Sequence, residues 1–378
     1  MRLRTRAICL ALYSLIFIYF IEQKFTRKDL SLNPQNETSK VDWKRFCLTD
    51  SVITVREGGR LGNCVWEYIS TLGLGSVLGL RPYVPKQILN CLDKVFKNLT
   101  IPAYEDTLLS EQCRKFHGGD VEKCKSKSLS QNGTEWDRLC YALKHGNRIA
   151  PDVVRKPVTK LKKLNDSGKL PTILILPYWI NLPHVFDAVG VDRFQEELQI
   201  RDDLKQLAEE TLRGVKMKAG NGDLIFVGLH VRRTDYKRHL KILHGEKVAY
   251  ADVDYYKRAM SRMHDLHNDS RMVFVVLSDD YTWCKTNLVN EKEGVFWGGL
   301  EHSAFISNWE QKKDMFVYHD LAVLSLQNHS IIGYGTFAIT GSLLSGGHTI
   351  VCNISRYKDV KDNFATNLSK KIRYWEQL

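Results

Sequence analysis

Between residues 224 and 351 the chain alternates short apolar runs with amphipathic stretches, and few folds accept that rhythm. The runs Leu224–Val231, Met272–Leu277, Ser330–Gly333 and Thr349–Val351 predict strands. Between them, apolar residues recur at helical spacing from Asp252 to Leu266, after Asp280, from Asp314 to Gln327 and from Phe337 to Leu344. A strand apolar on both faces needs cover on both faces, and a helix between two strands returns the chain parallel to itself. The pattern therefore predicts a parallel sheet sandwiched by helices, a Rossmann-like lobe. Ligands of such sheets bind at the carboxyl ends of the strands.

The first half carries the same unit less completely. Val52–Val55 predicts a strand, Glu57–Asn63 a glycine-punctuated loop and Cys64–Gly79 an apolar helix. A further strand is expected at Thr172–Leu176 and an amphipathic helix at Asp202–Arg213, with Leu204, Leu207, Ala208 and Leu212 on one face. Lys86–Lys169, with four cysteines and three sequons, is expected to be an irregular insertion held by disulfides. The boundary between two lobes is placed near Ala219–Asn221, giving residues 46–220 and 221–378.

The amino terminus points to a compartment. Arg2, Arg4 and Arg6 precede an apolar run from Ala7 to Ile21, and bulky Tyr19, Phe20 and Ile21 stand where cleavage would need small residues. The run is expected to stay as a signal anchor, so residues 1–6 form a cytoplasmic tail, 7–21 a transmembrane segment and 22–45 a stem. An anchor this short suits the thin membranes of the early secretory pathway. Eight sequons, at Asn36, Asn98, Asn132, Asn165, Asn268, Asn328, Asn353 and Asn367, exceed the two or three that chance would supply by rough count, and predict a glycosylated lumenal surface. Beyond Cys9 the chain has eight cysteines, an even set that favours disulfides in an oxidising lumen without selecting a pairing.

Hydrophobic residues at 43% and charged residues at 26% exclude a low-complexity chain. The net charge of +12 suits an anionic ligand or surface. No zinc-ligand spacing and no basic run with interleaved aromatics is present, which argues against nucleic acid.

One segment concentrates charge where a core strand ends: Val227-Gly228-Leu229-His230-Val231-Arg232-Arg233-Thr234-Asp235-Tyr236. Burial alone does not call for that. A guanidinium at the tip of a strand can take two phosphate oxygens at once, which makes Arg232 the candidate for a diphosphate. Arg233 and Asp235 could equally form a salt bridge that ties the loop.

His-x-Arg-Arg followed by Asp resembles the first donor motif of the fucosyltransferases. Gly59-Arg60-Leu61-Gly62-Asn63, Phe274-Val275-Val276-Leu277-Ser278 with Trp283-Cys284, and Asn328-His329-Ser330-Ile331-Ile332 with Gly335-Thr336-Phe337 and Gly346-Gly347 look like animal α-1,2-fucosyltransferases, in that family's order. The resemblance covers about residues 50–352. It implies a GT-B-like α/β fold of two Rossmann-type lobes, the first on the acceptor side and the second binding GDP-fucose. It also implies inversion at the fucose anomeric carbon, a galactose-terminated glycan as acceptor, no cofactor or obligatory metal, and a Golgi membrane location with the catalytic body in the lumen. By the same resemblance His230 lies against the guanosine, Arg232 and Arg233 serve the donor, Ser278 and Asp279 sit beside the nucleotide, and Gly335, Thr336 and Phe337 open a helix toward phosphate. Arg60, Gly62 and Asn63 face the cleft. Arg232 and Asp235 are the expected catalytic residues, Asp235 as proton acceptor with Glu67 and Glu246 behind it.

Asp252-Val253-Asp254 matches a metal-binding triplet of other glycosyltransferases, but Tyr256, Met260 and Met263 follow at helical spacing, so a helix start explains it. Three departures from the family stand out: Thr234 where glycine is usual, a threonine shared with α-1,6-fucosyltransferases; the acidic pair Asp279-Asp280; and Thr340 in place of an aromatic. They keep open an α-1,6 or other GDP-sugar transferase, and a lumenal lectin or scaffold without the chemistry.

Overall fold

The computed structural model describes residues 52–107, 140–142, 173–176, 182–220, 222–244, 250–267, 271–300, 309–354 and 368–378. The anchor expected at 7–21, the stem, Glu246 and the sequons at Asn36, Asn132, Asn165, Asn268 and Asn367 lie outside these residues. Among the described residues no helix is long and apolar enough to cross a membrane.

The first lobe runs β1 (Val52–Val55), α1 (Leu61–Leu78), β2 (Arg81–Pro82), α2 (Lys86–Leu92), β3 (Phe96–Lys97), α3 (Tyr104–Thr107), β4 (Cys140–Ala142), β5 (Ile173–Leu176), α4 (Leu182–Glu197), β6 (Gln199–Ile200) and α5 (Asp202–Ala219). The second runs β7 (Ile225–Val231), α6 (Tyr236–His244), α7 (Val253–Leu266), β8 (Met272–Ser278), α8 (Tyr281–Asn287), β9 (Val295–Trp297), α9 (Trp309–Ser325), β10 (His329–Ile332), α10 (Thr336–Ser345), β11 (Thr349–Val351) and β12 (Trp375–Gln377).

Two parallel sheets result. The first has the order β2-β1-β5-β4 and the second β12-β11-β10-β7-β8-β9, while β3 and β6 form a small antiparallel pair. In the second sheet the chain steps outward from β7 through β8 to β9, then returns to β7's other side and steps outward again through β10, β11 and β12. The strand order reverses between β7 and β10, and that switch point is where open α/β sheets hold ligands.

Residue alternation accounts for the two covered faces. In β8, Val273, Val275 and Leu277 join one buried cluster, while Phe274 and Val276 join the other. The first cluster is continuous with α1, α9 and α10 through Val65, Trp66, Leu324 and Ile339. The second is covered by α7, whose Tyr255, Tyr256, Ala259 and Met263 repeat at helical spacing. Each such large apolar side chain contributes about 1.5–3 kcal/mol by leaving water.

The structure changes some expected boundaries. The first helix starts at Leu61, not at Cys64, so Gly62 and Asn63 lie on a helix and the loop stops at Arg60. Lys86–Leu92 is helical and Phe96–Lys97 pairs with Gln199–Ile200, so the start of the expected irregular insertion is regular. Cys64, Cys91, Cys284 and Cys352 are thiols, the first two in hydrogen-bond contact between α1 and α2. Asp252 is the N-cap of α7 and accepts the Tyr255 N–H at 2.8 Å.

Candidate active site

The carboxyl ends of β7 and β10 lie side by side, with His230 opposite Ile332. Two adjacent tyrosines of α7 fix them there. Tyr256 Oη donates to the His230 carbonyl at 3.1 Å, and Tyr255 Oη donates to the carbonyls of Ile332 at 2.6 Å and Ile350 at 3.1 Å. The His230 ring packs 5.0 Å from that of Phe337 at the head of α10. Burial, reinforced by Arg232 and opposed by Asp279, lowers the His230 pKa to about 4, so its imidazole is neutral near pH 7.

The residues that follow β7 form a network of alternating charge. Arg232 holds Asp235 Oδ1 with Nη2 at 2.5 Å and Asp279 Oδ2 with Nη1 at 2.7 Å. A guanidinium has five N–H donors, so these two pairings leave others for a ligand. Arg233 turns the other way, its Nε donating to Asp280 Oδ2 at 3.2 Å and its guanidinium lying 3.8 Å over the Trp283 ring. The alternative pairing of Arg233 with Asp235 is therefore not the one formed; Asp235 sits three residues after Arg232 in the loop and meets that side chain instead.

Asp279 organises the loop. Its Oδ1 accepts the Arg233 N–H at 2.9 Å, and its Oδ2 accepts the Thr234 N–H at 3.3 Å and the Thr234 hydroxyl at 2.5 Å. Ser278 Oγ accepts the Asp280 N–H at 2.9 Å, and Asp280 caps α8 through the Trp283 N–H at 3.1 Å. Ser278 and Asp279 thus lie beside the site with part of their bonding capacity already used on backbone.

The first lobe meets this network through α1. Gly62 lies against the start of α10: a Cβ there would stand 2.6 Å from the Phe337 nitrogen and 2.7 Å from Thr336 Oγ1. Only a residue without a side chain permits that approach. Beside it Thr336 Oγ1 donates to Asn63 Oδ1 at 3.1 Å, and Trp66 Nε1 donates to the Thr336 carbonyl at 3.2 Å. Arg60 reaches across from the first lobe to within 3.8 Å of Asp235 Oδ2, with both side chains largely exposed.

Gly335 is the N-cap of α10 with φ 135°, a conformation open to glycine, and offers no side-chain cap. The first N–H groups of α10 therefore have no intrahelical partner, which is the arrangement that suits an anion. Gly62 and Asn63 of α1 thus meet the N-terminus of α10, and Arg60 meets the Arg232 network through Asp235. Glu67 does not join them: the side chain is fully buried, and burial raises its pKa to about 9.

Sequence reasoning missed Trp66, which anchors the head of α10, and the Tyr255-Tyr256 pair. The first is visible as an indole one turn beyond Gly62, where a buried N–H has to find an acceptor; the second reads only as core until the sheet order is known.

The sequence profile of Glycosyl transferase family 11 matches residues 185–377, just over half of the chain. The chain belongs to glycosyl transferase family 11. Similar over a longer span are the mouse (Mus musculus) protein named galactoside 2-alpha-L-fucosyltransferase Sec1, 25% identical over 356 residues that cover 92% of this chain and 81% of the relative, and galactoside alpha-(1,2)-fucosyltransferase 1 of Saimiri boliviensis boliviensis, 31% identical over 299 residues that cover 79% and 66%. Among solved structures, an arginine-to-lysine mutant of Arabidopsis thaliana FUT1 in complex with GDP aligns with a TM-score of 0.49 and 14% identity over 81% of this chain and 70% of that one.

As a family 11 glycosyltransferase the chain carries its departures in a physically connected way. Thr234 and Asp279 bond each other, so two of the substitutions are one interaction. Asp280 is used by Arg233 and by the α8 cap. Thr340 is fully buried and donates to the Thr336 carbonyl at 2.8 Å, so it does not open onto the cleft. Of the sequons among the described residues, Asn98 and Asn328 are exposed and Asn353 is half-buried.

Proposed function

We propose that this family 11 glycosyltransferase moves L-fucose from GDP-β-L-fucose to the 2-hydroxyl of a terminal galactose on a glycan, inverting the anomeric carbon. The position of Arg232, just past the tip of β7 on the switch point and two residues after His230, whose ring packs against Phe337 at the head of α10, carries the reading. Relatives named galactoside α-1,2-fucosyltransferases support the donor and the linkage.

Breaking the bond between fucose and GDP leaves negative charge on the β-phosphate and a cation-like sugar. Arg232 and the α10 N–H groups act on that growing charge, and they gain most in the transition state. The acceptor hydroxyl loses a proton as it attacks. Asp235 is the carboxylate for it, since Oδ1 is held by Arg232 while Oδ2 points toward Arg60 on the far side of the cleft. Glu67 is unsuited, because no hydroxyl reaches a fully buried carboxyl and burial favours its protonated form. Arg60 and Asn63 position the acceptor from the first lobe. No resident metal enters the step as drawn.

The arginines before Ala7–Ile21 and the sequons support a type II membrane protein of the Golgi with its body in the lumen. Thr234, shared with α-1,6 enzymes, is bonded to Asp279 and carries no argument for that linkage. Purified chain incubated with GDP-fucose and a panel of β-galactosides, followed by linkage mapping, tests the reading: α-1,2-fucosylated galactose with stoichiometric GDP is expected, and an α-1,6 product or no turnover overturns it.

A further inference from the structure

Three imidazoles converge at the end of the second sheet opposite the transfer site. His267 is the C-cap residue of α7, His329 opens β10 and His348 immediately precedes β11. Since the donor loop follows the carboxyl end of β10, the length of that strand, about 10 Å, separates the two places.

The geometry is compact. His348 Nδ1 lies 2.9 Å from His267 Nε2. The rings of His267 and His329 stack with centroids 4.1 Å apart, and those of His329 and His348 are 5.5 Å apart. One donor nitrogen from each lies within 4.8 Å of the others, and no other group of three or more metal-competent side chains gathers this way among the described residues. All three side chains are half-buried. None pairs with a carboxylate among the described residues.

We propose that His267, His329 and His348 form a binding site for a divalent transition-metal cation of the zinc class, distinct from the transferase centre. Imidazole nitrogen suits zinc, nickel, cobalt and copper, and three such ligands leave a fourth position for water. Tetrahedral ligand nitrogens stand about 3.3 Å apart, so the His267–His348 pair is already near that spacing and His329 has to move inward. In doing so it releases the His348 N–H that its Nδ1 now accepts at 3.1 Å. The hydrogen bond between His348 Nδ1 and His267 Nε2 opens when a cation takes its place. The bound cation clamps the end of α7 to the starts of β10 and β11. The inference goes beyond the proposed transfer and does not depend on it.

The test uses the full chain, purified in detergent without a histidine tag and stripped with a chelator, alongside His267→Gln, His348→Gln and the double variant. Zinc chloride is titrated by calorimetry, bound zinc is counted after desalting, and cobalt(II) replaces zinc for visible spectra. Wild type is expected to bind one equivalent more than the double variant, to melt several degrees higher with zinc, and to show intense tetrahedral cobalt bands. Metal-free turnover of GDP-fucose is expected to stay within twofold of wild type in the single variants. Equal zinc stoichiometry and equal melting response in wild type and variants overturns the site; if the double variant does not fold, His267→Gln at the helix end decides it on the same readouts.

Discussion

Arg232 stands out in the sequence because a charged side chain directly after a buried strand has no reason in packing. Its partners do not, because Asp279 lies 47 positions away and meets it only through the pairing of β7 with β8. Arg232→Ala removes charge stabilisation worth about 3 kcal/mol, so kcat should fall more than a hundredfold, while the chain keeps its fold with some loss of stability, because Asp235 and Asp279 lose their shared cation. Steady-state kinetics beside a melting curve checks this, and near-normal turnover removes Arg232 from the mechanism. Thr234 and Asp279 give a separate prediction. In a double-mutant cycle of Thr234→Ala and Asp279→Asn, read by denaturant unfolding, the two changes should be non-additive by about 0.5–3 kcal/mol, as expected for groups in contact. Strict additivity would mean that the hydrogen bond is not formed in solution.

Most helices and strands of the second lobe could be read from periodicity, since each buries a full face. The missed ones have physical reasons. Trp375–Gln377 is a three-residue edge strand with two polar members, Val295–Trp297 is equally short, and Tyr236–His244 has the helical spacing but directly follows a charged loop that hides its start. The glycines of Gly59-Arg60-Leu61-Gly62-Asn63 suggested a loop through Asn63; in the fold only the residues before Leu61 are loop, and Gly62 is a contact between helices α1 and α10. Gly62→Ala should therefore force the two helices apart. A cost of about 1–3 kcal/mol is expected from the clash, with a larger loss of transfer than of stability because the N-terminus of α10 moves. Comparing kcat/KM with the unfolding free energy of that variant distinguishes the two; wild-type values for both contradict the close contact.

At the scale of the molecule, alternating strands and helices foretold a parallel sheet, but the order of strands is a tertiary fact, and with it the switch point that places His230, Arg232 and Gly335 together. Burial of His230 also gives the whole fold a pH dependence. Its folded-state pKa of about 4 lies below the unfolded value near 6.5, so the folded state resists protonation; stability is intact above the unfolded value and is lost as pH falls toward 4. Between pH 7 and 4.5 this one group should cost about 2–3 kcal/mol. Denaturant unfolding at the two pH values, for wild type and His230→Asn, isolates the contribution: wild type should lose that much more than the variant, and equal losses would show that His230 is not the neutral buried group described.

The proposed transfer turns on where a nucleoside diphosphate sits. A crystal structure of the chain with GDP is predicted to show the diphosphate within hydrogen-bond distance of the Arg232 guanidinium and of the first N–H groups of α10, beside His230. GDP bound elsewhere, or with its phosphates turned away from Arg232, would contradict it.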